Sequence, residues 1–345
     1  MDKAAGLALI RAGRCDIAPG RRYEVDFFRP DDALGVARLF EAIYGDKYPV
    51  DDYYIPERIA AGNASGDIIT MLARTDTGDV VGQTAFTRTS SPNPHLYEAG
   101  QMIVLPAYRH GQVAPRLTAL VHHCLATRAE IHGSFVEVVT NHLVTQKLAV
   151  RINFRCCGLE LALMPEGALA GENAGQQRIS CLLMANVLRD IRRELHLPAI
   201  YRDVLAPIVE SLGIDRAMAW SDGVPPADEG SVIDVQRFAA AGVIRCHVSA
   251  IGPDLGARLA ALAAERVPLL EVFLRADGAA APWAVAVLCA QGFCLGGLLP
   301  LWFGADAILL QKLAVTPDFD AIRLLEDAAR RLCEAVRADY HRVRP

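Results

Sequence analysis

The chain has 345 residues, is 52% hydrophobic and 22% charged, and carries a net charge of −5. That length outgrows one compact core and predicts two domains of ordinary size, and the composition excludes a disordered chain. The acidic balance offers no basic field to nucleic acid, and no apolar run reaches the length of a membrane span, so neither is expected as a partner.

The start, Met1-Asp2-Lys3 and a short mixed stretch, has neither the apolar region nor the cleavage site of a secretory leader. Nine cysteines lie scattered in apolar contexts, and the pair Cys156-Cys157 has neither zinc-site nor redox spacing. Reduced, buried thiols in a cytoplasmic protein are expected, with no metal site.

Tyr23 to Phe28 predicts a strand, and Arg29-Pro30-Asp31-Asp32 opens a helix with Leu34, Ala37, Leu39, Phe40 and Ile43 on its apolar side. Ile68–Arg74 and Val80–Thr87 predict a hairpin about Thr75-Asp76-Thr77-Gly78-Asp79. Tyr97 to Leu105 is a third strand, ending at Pro106. After a polar loop, Leu117, Leu120, Val121, Cys124 and Leu125 mark the buried face of a helix. His122-His123 then report its polar face. Phe135–Thr140, Thr145–Ile152 and Gly158–Met164 read as strand, short helix and strand. The fold class is therefore α/β, with a mixed sheet flanked by helices.

The polar, Gly-rich stretch 166–177 has linker composition and divides the chain into domains over 20–165 and 178–345. The second half repeats parts of the first. Phe135-Val136-Glu137-Val138-Val139 matches Leu269-Leu270-Glu271-Val272-Phe273, and Phe154-x-x-x-Gly158-Leu159 matches Phe293-x-x-x-Gly297-Leu298. Arg116-Leu117-Thr118-Ala119-Leu120 matches Arg258-Leu259-Ala260-Ala261-Leu262. Each match alone is weak, but three in the same order argue for internal duplication.

The most informative stretch runs from Val104 to Leu117: a strand ends, Arg109-His110-Gly111-Gln112 form a loop, and Val113-Ala114-Pro115 start a helix. Such a corner aims several backbone N–H groups and the positive end of a helix dipole at one spot, which suits a diphosphate. Pro115 lacks an N–H where one would be unpaired anyway, and Ala114 keeps the entry slim. A plain strand-to-helix connection fits the same pattern.

Val-x-Pro-x-Tyr-Arg, the Gly-containing loop and the following leucine resemble motif A of the GNAT N-acetyltransferase superfamily, Arg/Gln-x-x-Gly-x-Gly/Ala. The resemblance covers residues 20 to 165 and implies a mostly antiparallel sheet, here duplicated, that binds acetyl-CoA or another acyl-CoA. Arg109 takes the first motif position and Ala114 the last, whereas Gln112 stands where the family has a glycine and Gly111 lies one step early. A glutamine disfavours positive φ, so the loop is expected to hold the diphosphate in a shifted register or less tightly. By the same resemblance, Thr140-Asn141-His142 end a strand that splays from Met102-Ile103-Val104 to admit the pantetheine arm, and Gln146 lies on the short helix that follows. Asn153-Phe154 replaces the family's Gly-Phe; asparagine tolerates the left-handed region.

Transfer of an acyl group from a thioester to an amine needs a base, a stabilised oxyanion and a proton for the leaving thiolate. Glu98 is the candidate base. It lies eleven residues before Arg109, a placement that resembles the catalytic glutamate of the histone-acetylating branch. Strand alternation predicts Glu98, Gly100, Met102 and Val104 on one face; an exposed strand-end acid is the alternative. The resemblance makes the N–H of Val104 or Ile103 the oxyanion donor. The tyrosine that many family members use as general acid is Ala149 here, leaving His142 or water, and a capping or solvated His142 fits as well. Ser90–His95 and Tyr44–Pro56 are expected acceptor walls, and Asp46, Asp51 and Asp52 would favour a cation unless they are a solvated loop.

In the second half only Gly252-Pro253-Asp254-Leu255-Gly256 separates strand from helix, and Asp254 would repel a diphosphate. That copy is expected to be inactive and to pack on the first as an internal pseudo-dimer. The expected function is transfer of an acetyl or other short acyl group to a primary amine of a small molecule. A non-catalytic CoA-binding sensor and an enzyme fed by a carrier-protein thioester are the alternatives.

Overall fold

The computed structural model describes residues 1–345 except 13–16, 49, 89, 167–176, 228 and 345, so most of the expected linker lies outside the described residues. Among these, the eight cysteines are free and six are buried. No helix is long and apolar enough to cross a membrane.

The chain forms two compact units, and neither is a continuous stretch. The first takes in Met1–Ser90 and Tyr97–Ile131. Its elements are α1 (Lys3–Ala12), β1 (Tyr23–Phe27), α2 (Ala33–Tyr44), α3 (Pro56–Ser65), β2 (Ile68–Thr75), β3 (Val80–Thr87), β4 (Leu96–Val104) and α4 (Val113–Thr127). The four strands pair antiparallel in chain order. The β2–β3 hairpin closes where predicted, with Gly78 at φ 86° and Thr75 N–H donating to Asp79 O at 2.8 Å.

The core on one face combines Val36, Ala37, Leu39 and Phe40 of α2 with Leu72, Val80 and Ile103 of the strands. Asp32, the last residue of the helix-start signal, makes no side-chain bond to α2 but accepts from Arg29 N–H at 2.7 Å. It is buried in a two-point pair with Arg74 of β2, at 2.6 and 2.5 Å, which fastens the start of α2 to the sheet. Sequence reading missed α1 and α3. Only Ile59 of α3 is buried, so α3 carries no apolar stripe to read.

The second unit takes in Ser91–Leu96, His132–Glu166 and Gly175–Pro345. Its elements are β5 (Gly133–Val139), α5 (Val144–Arg151), β6 (Arg155–Met164), β7 (Ile179–Val187), β8 (Arg193–Pro198), α6 (Arg202–Leu212), β9 (Arg216–Ser221), β10 (Val232–Phe238), β11 (Val243–Ala250), α7 (Leu255–Ala263), β12 (Leu269–Arg275), α8 (Ala281–Ala290), β13 (Cys294–Leu299), β14 (Ala307–Leu313) and α9 (Asp327–Arg342). Its main sheet has the order β5-β7-β6-β13-β14-β12-β11-β10, and β8 pairs with β9 apart from it.

Within that order one motif occurs twice. A strand, a helix, a strand and a last strand inserted between the two give β5-β7-β6, and again β12-β14-β13. The repeats are joined where β6 meets β13 antiparallel, with Gly158 opposite Gly297, the two glycines already matched by sequence. A Cβ on Gly297, at φ 152°, would lie 2.2 Å from Cys157 O, so the joint needs glycine. The expected division at 166–177 differs from that of the compact units. β7, beyond that stretch, pairs with β5 and β6 and completes the first repeat.

Besides the fully buried Arg216–Asp306 pair at 2.6 Å, this unit buries a cluster of charge around Arg245 of β11. It donates to Glu271 of β12 at 2.7 Å, Glu137 of β5 at 2.7 Å and Glu160 of β6 at 2.9 Å. Burial pushes the Glu160 carboxyl well up, with the charges of Glu137 and Glu271 adding and Arg245 opposing. Burial works against the charge on Arg245, but the three carboxylates outweigh it and hold the guanidinium protonated. Beside this cluster Trp302 stacks on Phe273 at 4.2 Å and donates to His247 Nδ1 at 3.0 Å.

Replacing the guanidinium by a neutral chain, Arg245→Met, leaves three carboxylates without their counter-charge. We expect a loss of about 3–5 kcal/mol at pH 7 in urea unfolding, shrinking as the pH falls and the carboxyls protonate. For the native chain, a carboxyl whose pKa is raised on folding stabilises at low pH and loses that contribution as pH rises through the folded value. Glu160→Gln should therefore flatten the loss of stability as pH rises above the ordinary carboxyl range, and an unchanged pH profile would contradict the raised carboxyl.

Candidate functional site

The corner at the end of β4 is built from below. Tyr108 is buried, and its hydroxyl donates to Ala18 O at 2.7 Å. Its ring meets Tyr23 edge-on at 6.3 Å, and Arg116 lies over Tyr23 at 5.1 Å. Arg109 folds its Nε–H back to Val104 O at 3.0 Å, joining the loop to the strand end. Sequence reading gave Tyr108 no structural role, although its position in the motif marks it.

Val113, at the first turn of α4, is buried against Gly82 of β3. A Cβ at Gly82 would come within 2.6 Å of Val113 Cγ1, so this glycine sets how closely α4 approaches the sheet. Arg109, His110, Gly111, Gln112 and Pro115 are exposed, and Ala114 is half-buried. Gln112 is the N-cap, with no side-chain bond to the helix. The first backbone bond found at this end runs from Arg116 N–H to Gln112 O at 3.0 Å. The first turn of a fifteen-residue helix thus faces solvent uncapped, a geometry that fits an anion. The difficulty expected at Gln112 does not arise, because Gln112 has φ −95° and the left-handed residue is His110, at φ 63°.

Glu98 is half-buried on β4 and accepts from the Ser90 hydroxyl. The predicted alternation fails beyond Gly100. Ala85 pairs with Gly100 but Gln83 pairs with Ile103, so β4 carries an extra residue, and Gln101 has φ 57°. This β-bulge reverses the alternation. Glu98 shares a face with Gly100 and Ile103, toward α2, whereas Val104 pairs with Gly82 on the α4 side. Gln101 reaches the Tyr53 hydroxyl.

The expected acceptor wall divides. Tyr48 and Tyr53 come to Glu98: burial pushes Tyr53 up to about 12 and Tyr48 well above 10, and the Glu98 charge adds to both. Both phenols stay neutral donors at physiological pH. Asp51 pairs with Lys3 at 2.8 Å and Asp52 with Arg58 at 2.5 Å, so two of the three expected acids are already matched. Beyond Ser90 the other expected wall belongs to the second unit, where Asn93 Nδ2 donates to Leu301 O at 2.7 Å.

Thr140, Asn141, His142 and Gln146 also belong to that unit. Thr140 and Gln146, expected to hold the cofactor, are instead bound to their own chain. Thr140 Oγ1 donates to Ser180 O at 2.8 Å, and its carbonyl accepts from Arg323 N–H at 2.6 Å. Gln146 donates to Arg323 O at 2.8 Å and accepts from Leu325 N–H at 3.0 Å. These bonds leave their side chains little to offer a ligand. Asn141 differs, because both polar atoms of its amide are buried without a partner among the described residues. His142 Nδ1 accepts from Val144 N–H at 3.3 Å, the capping role, and burial lowers its pKa below 6.5. Asn153 has φ 67°, as its place before Phe154 required.

The corner equivalent to this one in the second repeat is closed. Asp254, the N-cap of α7, makes no cap bond to the helix and instead accepts from Ser231 N–H at 2.7 Å. Ser231 Oγ accepts from Gly252 N–H at 2.9 Å, and a Cβ on Gly252 would strike Glu229 O at 2.2 Å. β11 and β12 stay paired in parallel from Val243↔Leu269 to Val248↔Leu274, leaving no opening between them. No group of three metal-ligating side chains occurs among the described residues.

No protein-family model matches the chain, and no curated protein matches it in sequence. Solved structures similar to it include the ribosomal-protein-S5-alanine acetyltransferase of Vibrio fischeri, at TM-score 0.37 and 12% identity over 50% of this chain and 97% of that one. The ribosomal-protein-S18-alanine N-acetyltransferase of Escherichia coli gives 0.38 and 11%, over 49% and 96%. A GNAT-family acetyltransferase of Staphylococcus aureus gives 0.35 and 15%, over 49% and 100%. Scores and identities this low carry no argument of their own; the repeated strand order and the corner at α4 do. Over about half its length, the chain is similar in structure to acetyltransferases of the GNAT family.

Proposed function

We propose that this protein is an N-acyltransferase that moves an acetyl or other short acyl group from acyl-CoA to a primary amine of a small molecule. The observation that carries this reading is the contrast between two equivalent corners. Neither helix has a side-chain cap, but the loop before α4 is exposed, whereas before α7 Asp254 accepts from Ser231 N–H, Ser231 Oγ accepts from Gly252 N–H, and Gly252 packs on the chain at Glu229.

The N–H groups at the start of α4 would hold the diphosphate of the acyl-CoA, with the helix dipole behind them. The cosubstrate supplies an activated thioester carbonyl. Glu98 takes a proton from the acceptor ammonium, which has no free lone pair until it loses one. The Ser90 hydroxyl orients that carboxylate, and the neutral phenols of Tyr48 and Tyr53 give the acceptor donors without competing for charge. Arg109, bonded to Val104 O, keeps the strand end and the anion loop in fixed relation.

Incubation with acetyl-CoA and a panel of amines should release free thiol. Calorimetric binding of acetyl-CoA without thiol release would leave a CoA-binding module, and no binding would favour a carrier-protein donor. Glu98→Gln should lower the rate by roughly 10²–10⁴-fold below about pH 8 with acetyl-CoA affinity intact, and an unchanged rate removes Glu98 from the reaction. Gly82→Ala should cost about 1–3 kcal/mol by pushing Val113 off the sheet. It should weaken acetyl-CoA binding as well, and an affinity equal to the native chain's would detach the α4 corner from the cosubstrate.

A further inference from the structure

The second unit holds a cavity of about 390 Å³, walled by Leu143, Phe319, Ile322 and Leu324, with Arg323 at its edge. That volume is of the size that takes a small metabolite. The segment carrying Arg323 is clamped from two directions. Gln146, itself buried, binds Arg323 O and Leu325 N–H, and Thr140 O binds Arg323 N–H. From the other side Arg330 donates to Leu324 O at 2.7 Å and Leu325 O at 3.1 Å. The backbone under Arg323 is therefore fixed although its side chain is exposed.

Two of the three arginines in the lining are ion-paired. Arg330 pairs with Asp327 at 2.5 Å and Arg337 with Asp320 at 3.4 Å. Among the described residues, Arg323 has no carboxylate partner. A planar guanidinium on a fixed backbone beside apolar walls is matched by one planar anion attached to an apolar body. Glu334 in the same lining disfavours a multiply charged phosphate more than a single carboxylate.

We propose that this cavity binds a small monocarboxylate with an apolar body, its carboxylate paired to Arg323 and its body against Leu143, Phe319 and Ile322. The site is independent of the acyl-CoA corner and stands whether or not the chain is an acyltransferase. Its occupant would also load the Gln146 clamp, and through it the start of α5.

Calorimetric titration of the full chain with phenylacetate, phenylacetamide and inorganic phosphate tests this. Phenylacetate should bind, and its uncharged amide should bind at least about tenfold more weakly. Arg323→Ala should weaken phenylacetate by a similar factor with an unchanged thermal melt, whereas Arg323→Lys should restore part of the affinity. Equal affinity for acid and amide, phosphate binding as tight as phenylacetate, no binding of any probe, or full affinity in Arg323→Ala would each overturn the proposal.

Discussion

One guanidinium, Arg245, sets the interior of the larger unit. It gathers carboxylates from β5, β6 and β12 onto β11, drawing on strands that are far apart in the sheet order. Ion pairs this deep gain little over apolar packing of equal volume, but losing one member is severe, because the others stay buried. The rings of Phe238 and Phe273, 5.7 and 5.8 Å from the same guanidinium, add attraction without adding protons to the balance. Burial lowers the His247 pKa to about 4, so this neighbour brings no second positive charge at neutral pH.

Duplication gives the chain two copies of one junction under different constraints. In the copy at α7 an acid, Asp254, occupies the N-cap and accepts from Ser231 N–H of another segment. In the copy at α4 the cap is a glutamine that bonds nothing in the helix, and the glycine beneath it exists for the approach of Val113.

Much of this was legible in the sequence. The β2–β3 hairpin, the α4 stripe, the loop that enters α4 and the three matched segments carry local signals: turn residues, a helical period, a strand–Gly–helix junction. The bulge in β4 was not legible, because Gln101 adopts the left-handed region without a glycine to mark it, and the assignment of faces beyond Gly100 failed for that reason. α8 is apolar all round, so no period announces it. The Gly-rich stretch before β7 reads as a domain linker, and nothing local says that the next strand returns between β5 and β6. The bonds of Gln146 to Arg323 and Leu325 were not legible, because those partners lie in a segment without a pattern, 177 and 179 residues away.

The return of β7 has a practical consequence. A fragment cut at the Gly-rich stretch would keep β5 and β6 but lose the strand that hydrogen-bonds both, exposing two rows of unpaired backbone groups lined by Leu159, Leu161 and Phe135. Bare edges of that kind recruit other chains, so expression of the first half alone invites aggregation, and any dissection of the protein has to carry its boundary past Val187.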